Sequence, residues 1–147
     1  MAKIKLEKIA AADLVAYEQN PRRNAKAVDA VVESIKKFGY TNPIIVNQDN
    51  VILCGHTRLE ALKKIGTDQV EVIRLSHLTE QEERAFRIAD NRAGEFSKWD
   101  EDLLKEEMLE VGADDWERFG FKAKDLAKLQ PPEQCTCPKC GRSFIKI

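Results

Sequence analysis

Val51-Ile52-Leu53-Cys54-Gly55-His56-Thr57-Arg58-Leu59-Glu60-Ala61-Leu62-Lys63-Lys64-Ile65-Gly66 reads as a strand, a tight turn and a helix in immediate succession. Residues 51–54 are a strand-sized apolar run, and Gly55 lets the backbone turn. Thr57 or a neighbour then opens a helix with Leu59, Ala61, Leu62 and Ile65 inward, which Gly66 stops. A helix that starts straight after a strand presents unpaired amides at its first turn, and these attract phosphate. Arg58 adds a guanidinium able to grip two oxygens, with His56 and Thr57 in reach of the same anion. The bland alternative is a strand-to-helix bend with a solvated Arg58, and four residues alone do not decide between the two.

The flanking sequence supplies the elements around this turn. Pro43-Ile44-Ile45-Val46-Asn47 and residues 51–54 flank Gln48-Asp49-Asn50, the pattern of a β-hairpin. Upstream, Val28, Val31, Val32, Ile35 and Phe38 recur at helical spacing, with Asn24 as the expected cap and Gly39 as a left-handed stop. Ile4, Leu6 and Ile9 suit an opening strand, and residues 17–23, interrupted by Pro21, a polar loop. Downstream, residues 70–75 form a further strand. Thr79 and Glu82 make a capping box for a helix whose apolar side is Ala85, Phe86, Ile88 and Ala89, before Asp90-Asn91-Arg92-Ala93-Gly94. Trp99, Leu103, Leu104, Met108 and Leu109 predict another helix, with Asp100, Glu101 and Asp102 near its positive end. Trp116, Phe119 and Phe121 suit a packing patch or short helix better than a base-stacking platform. Residues 122–130 are a last short helix or a linker, which Pro131-Pro132 separates from a cysteine tail.

The composition bounds the function. Of 147 residues, 43% are apolar and 33% charged, the balance of a globular chain. With 24 basic against 25 acidic side chains, the net charge of −1 argues against a large non-specific DNA-binding surface, though not against a local basic site. No apolar run is long enough to cross a bilayer and no signal core follows Met1, so a cytoplasmic protein without membrane contact is expected.

Three patches, in this order and spacing, resemble the N-terminal domain of the ParB family, particularly phage and plasmid versions found beside DNA methyltransferases. They are Asn20-Pro21-Arg22 with the helix ending in Phe38-Gly39, Asn42-Pro43 leading to Gly55-His56-Thr57-Arg58-Leu59-Glu60-Ala61, and Ala89-Asp90-Asn91-Arg92 followed by Trp99-Asp100. The resemblance implies a ParB/sulfiredoxin-like α/β (α+β) domain over residues 1–99, a small mixed sheet with packed helices. A helical extension (100–130) and the tail (131–147) would follow it. In chromosome-partition relatives a Gly-Glu-Arg-Arg turn and an Asn-Pro loop hold the triphosphate of CTP, and a Glu-Asn pair helps hold Mg²⁺. Carried over, the nucleotide-binding residues are Asn20, Arg22, Asn42, Pro43, Gly55, His56, Thr57 and Arg58, with Asp90 and Asn91 for Mg²⁺. The middle pair of the turn is changed here, which leaves CTP or ATP open as the nucleotide. Free-serine kinases of the superfamily carry Gly-His-His-Arg, closer to this turn, which supports phosphoryl transfer or hydrolysis with His56 and Glu18 as the catalytic candidates. Sulfiredoxin has its nucleophilic Cys just after the Gly. Here His56 stands there, so the sulfiredoxin reaction is excluded and Cys54 reads as a small buried hydrophobe.

Cys135, Cys137 and Cys140, in Cys137-Pro-Lys-Cys140-Gly141, resemble half a zinc ribbon. Zn²⁺ wants four ligands, so the complement would come from a second chain, from Cys54, or from sequence beyond residue 147. A homodimer is therefore expected. The leading expectation is a nucleotide-binding ParB-like domain, with Mg²⁺-dependent hydrolysis, acting with DNA or a DNA methyltransferase. The alternative is a DNA-binding or adaptor protein without turnover, or a weak nuclease, although no paired-carboxylate metal constellation beyond Asp90 is recognisable. Nothing marks a helix-turn-helix module.

Overall fold

In the computed structural model, residues 5–20, 25–111 and 116–122 are described, together with the strands at 134–136 and 143–145. Arg22, Asn24, Cys137 and Cys140 lie outside the described residues, as do 123–130 of the expected last helix or linker. The elements in order are β1 (Leu6–Ala10), α1 (Val28–Phe38), β2 (Ile44–Val46), β3 (Ile52–Cys54), α2 (His56–Ile65) and β4 (Gln69–Arg74). Then come α3 (Glu80–Phe96), α4 (Glu101–Val111), β5 (Gln134–Thr136) and β6 (Ser143–Ile145). Two compact units emerge, Met1–Trp99 with Arg118–Gly120, and Asp100–Glu117 with Phe121–Ile147.

The first unit is a mixed α/β structure around a four-stranded sheet ordered β1-β4-β2-β3. β4 pairs antiparallel with β1 and parallel with β2, so β3 and α2 together make the crossover between the parallel strands. Val70 and Val72 alternate inward along β4 and meet Ile44, Val46 and Ile52 of the neighbouring strands. Leu59 and Leu62 of α2 close this core with Ala11 and Leu14, and Ile35 of α1 packs against it.

Several elements differ in detail from the sequence reading. The β2–β3 pair is antiparallel as expected, but each strand is shorter, and the connecting turn is built by a buried Asn47. Its Oδ1 accepts from the N–H groups of Asp49 (3.0 Å) and Val51 (2.9 Å). Arg74 then ties the turn to the sheet, donating to the carbonyls of Asn47 (2.7 Å) and Gln48 (3.1 Å) and to Glu7 (2.8 Å). Gly39 ends α1 with positive φ but an extended ψ (82°, 177°), not in the left-handed helical region. α2 begins at His56, one residue before Thr57, and Gly66 caps it in the left-handed conformation; Ile65 is exposed, not inward.

The largest correction concerns α3. The Thr79–Glu82 capping box forms. The helix does not stop before Asp90, however, but runs on through Asn91 and Gly94 to Phe96. Ala85, Ile88 and Ala89 face solvent, and the inward position belongs to Arg87, 6% exposed. In the second unit, Asp100 Oδ1 accepts from the N–H groups of Asp102 and Leu103 to start α4, and Met108 is buried. Trp116 opens a short 3-10 turn and meets Phe121 edge-to-face at 6.0 Å, a packing patch. Antiparallel β5 and β6 form their own two-stranded sheet, with Cys135 in β5. Among the described residues no helix is long and apolar enough to cross a membrane.

Candidate functional site

The site grows from the turn between β3 and α2. Gly55 has φ +108°, a backbone conformation that favours glycine, and a Cβ there would press on Ile44 Cγ1 at 3.1 Å and Arg58 Nη1 at 3.3 Å. Arg58 folds back over this turn. Its Nη1 donates to the carbonyls of Pro43 (2.7 Å) and Asn42 (3.3 Å), fastening the chain that enters β2 to the first turn of α2. Asn42 and Pro43 thus hold Arg58 through their carbonyl oxygens.

A pocket of about 320 Å³ opens at this point. The end of β3 and the start of α2 line it through Cys54 and Gly55-His56-Thr57-Arg58. Asn20 enters from the loop before α1, and Asp90 and Asn91 from the middle of α3. Seven residues singled out from sequence therefore share one pocket: Asn20, Gly55, His56, Thr57, Arg58, Asp90 and Asn91. Glu18 is exposed in the turn that carries Asn20 and does not line the pocket.

Two pocket side chains are already engaged with one another. Cys54 Sγ donates to Asp90 Oδ2 at 2.9 Å. Burial first, and then the Asp90 carboxylate, push the thiol up to about 11, so Cys54 is protonated at neutral pH. It is a half-buried hydrogen-bond donor, not the inert hydrophobe expected. Asn91 Nδ2 donates to the Arg87 carbonyl one turn back (2.8 Å). Among the described residues no group of three or more His, Cys, Asp and Glu side chains is placed to hold a metal. One carboxylate and one amide oxygen nevertheless fit Mg²⁺ arriving on a phosphate, because Mg²⁺ keeps several waters and uses few protein ligands.

His56, Tyr17 and Arg87 form the pocket's supporting layer. His56 Nε2 accepts from the Tyr17 N–H at 3.2 Å, and burial, with Arg87 beside it, lowers the imidazole's pKa from its ordinary value. Arg87 donates to the Ile52 carbonyl (3.3 Å) and to Glu83 (3.3 Å), and its Cζ lies 3.9 Å from the Tyr17 ring centroid. Sequence reasoning missed Tyr17, Arg87 and the Cys54–Asp90 contact. The polar stretch before Asn20 was the only local signal for Tyr17, and Arg87 carried none.

Comparison with known proteins agrees with this architecture. The profile of the ParB N-terminal domain family matches residues 1–92. The ParB-like nuclease domain-containing protein YnaK of Escherichia coli (strain K12) is 38% identical over 73 residues, covering 49% of this chain and 84% of that protein. Among solved structures, the C-terminally truncated chromosome-partitioning protein ParB from Caulobacter crescentus, complexed with CTP-gamma-S, superposes with a TM-score of 0.60 at 19% identity. That match covers 85% of this chain and 70% of that one. A Pnob8-like ParB-N domain gives a TM-score of 0.51 at 18% identity, over 97% of this chain and 57% of that one. Family match, relative and fold agree, and the chain belongs to the ParB N-terminal domain family.

Proposed function

We propose that the pocket at the start of α2 binds the phosphates of a nucleoside triphosphate together with Mg²⁺, and that the protein acts in a DNA-related process. The observation that carries this reading is the meeting, in one pocket, of the glycine turn with Arg58, Asn20, Asp90 and Asn91. The helix start and Arg58 supply anion recognition, and Asp90 with Asn91 supplies oxygen for the cation that travels with a triphosphate. CTP is the first candidate, because the Caulobacter crescentus ParB of the same fold was crystallised with CTP-gamma-S. Hydrolysis would draw on Glu18, the exposed carboxylate of the Asn20 turn; the His56 lone pair is taken by Tyr17.

Calorimetry with CTP, ATP, GTP and ADP, with and without Mg²⁺, tests the reading. One triphosphate is expected to bind in a Mg²⁺-dependent way. Loss of a charge-assisted contact in Arg58→Ala should weaken it roughly ten- to a hundredfold. Thermal unfolding of the variant checks that the loss is not one of fold, since Arg58 also holds the Asn42 and Pro43 carbonyls. No binding of any nucleotide to the parent chain would sink this reading and leave a DNA-binding or adaptor role without turnover.

The cysteine tail is a second, smaller proposal. β5 and β6 bracket Cys137 and Cys140 in sequence, and Cys135 lies in β5. With three thiols against four ligand positions, zinc shared between two copies is expected. Metal analysis of the purified protein should return one zinc per two chains, lost in Cys137→Ser/Cys140→Ser.

A further inference from the structure

Cys54 and Asp90 meet inside the pocket, the thiol at the end of β3 and the carboxylate in the middle of α3. Sγ and Oδ2 lie 2.9 Å apart, and among the described residues the thiol is the hydrogen-bond partner of that carboxylate. Their spacing is held from behind. Arg87, three residues before Asp90, is buried and donates to the carbonyl of Ile52, two residues before Cys54, at 3.3 Å. The same spacing suits two ligands of one cation. Bonds of about 2.3 Å to a thiolate sulfur and about 2.1 Å to a carboxylate oxygen meet close to a right angle at that S···O separation. Oxygen ligands alone suit Mg²⁺, whereas sulfur adds affinity only for a softer cation.

We propose that Cys54 is a specificity-determining ligand: with Asp90 it seats a thiophilic divalent cation of the Zn²⁺ class, which arrives on the phosphates and is held in preference to Mg²⁺. When the cation binds, the S–H bond breaks, a metal–sulfur bond forms and the proton passes to the buffer; no electron is transferred. The charge of the cation takes over from the proton between sulfur and carboxylate. Arg58 lines the same pocket, and its charge also favours the thiolate, against burial and Asp90, which favour the thiol. Two protein ligands hold a cation weakly by themselves and leave the other positions to phosphate oxygens and water. The seat therefore empties during purification and adds nothing to the zinc count of the tail. The part played by phosphate rests on the nucleotide reading above; the contact between sulfur and cation does not.

Cd²⁺, which reports each bound thiolate through an ultraviolet sulfur-to-metal charge-transfer band, tests that contact without any phosphate. The titration uses the full chain carrying Cys137→Ser/Cys140→Ser, so that the tail pair adds no signal. Adding Cys54→Ser to this background should remove the intensity of one thiolate per chain. Adding Asp90→Asn instead should raise the Cd²⁺ concentration needed for half of the signal, because one ligand of the pair has lost its charge. A band that ignores Cys54→Ser overturns the seat. A band that follows Cys54 but ignores Asp90→Asn places the sulfur in some other site and overturns it as well.

Calorimetry with inorganic tripolyphosphate, once with Cd²⁺ and once with Mg²⁺, reads the preference. The ratio of the two affinities should fall at least about tenfold when Cys54→Ser is added to the same background, since partners of a metal site contribute on that scale. Serine keeps a hydroxyl to donate to Asp90 and offers no soft ligand, and thermal unfolding checks that the fold is intact. The affinity of each cation for tripolyphosphate itself cancels in this comparison. An unchanged ratio would overturn the preference. Tripolyphosphate that binds with neither cation would overturn the nucleotide reading instead, with the seat still decided by the charge-transfer band.

Discussion

The Cys54 thiol and the Asp90 carboxylate illustrate how two side chains 36 residues apart set each other's chemistry. Cys54 lines the pocket at the end of β3, next to Gly55. Burial raises its pKa first, and the hydrogen bond and charge of Asp90 raise it further. Both effects keep the proton on sulfur, and the hydrogen bond engages the Oδ2 of Asp90. Asp90→Asn removes the charge and leaves the burial. Iodoacetamide at pH 8, followed by site-resolved mass spectrometry, should then label Cys54 several-fold faster than in the parent chain, because alkylation follows the thiolate fraction. An unchanged rate would mean that burial alone holds the thiol.

At the scale of the element, α3 carries the structural role of greatest consequence. Its inward face holds Arg87 against Glu83, an ion pair whose side chains are 7% and 13% exposed, and Glu83 also accepts from Asn47 (3.1 Å). Removing one partner of a buried pair strands the other charge, so Arg87→Ala should cost about 3–5 kcal/mol in denaturant unfolding. Arg87→Ala/Glu83→Gln should recover part of that loss, and a double variant no better than the single one would contradict the stranded-charge account. The start of the same helix was legible in the sequence, because the Thr79–Glu82 box lies within one turn, and the Gly66 cap and the 44–46/52–54 pair are similarly local. Its face was not. Ile88 reads as core yet is 65% exposed, while Arg87 is drawn inward by a carbonyl 35 residues away and by the ring of Tyr17. Residues 90–94 read as following the helix, but the intrinsic penalty of about 1 kcal/mol at Gly94 does not end a helix already running. Of the site, the Gly55–Arg58 turn, Asn20 and Asp90-Asn91 were legible from spacing and family resemblance. Tyr17 and Arg87 were not, because their roles exist only once the loop, α2 and α3 have packed.

At the scale of the whole molecule, the shifted groups predict how stability depends on pH. His56 has its pKa lowered from an ordinary 6.5, so the unfolded chain takes up the proton first, and stability falls as pH drops below about 6.5. Glu82, lowered from 4.5 by its Thr79 hydrogen bonds, adds a further loss at more acid pH, when the capping box protonates. On the alkaline side, Cys54 goes from 9.0 to about 11, so the unfolded chain ionises first and stability declines above about 9. Tyr40 acts in the same direction above 10.0. Its hydroxyl is raised chiefly by burial, and it donates to the Glu71 carbonyl (3.0 Å) while accepting from the Ile44 N–H (2.7 Å). Tm measured across pH should therefore show a plateau between about 6.5 and 9, with a shoulder on each side. His56→Gln should flatten the upper part of the acid limb and leave the alkaline limb in place. Cys54→Ala should do the reverse, extending the plateau toward the Tyr40 range. A parent curve that keeps rising below pH 6 would mean that His56 gains a proton more readily in the folded chain, and the Tyr17 N–H would then not be bonded to its Nε2.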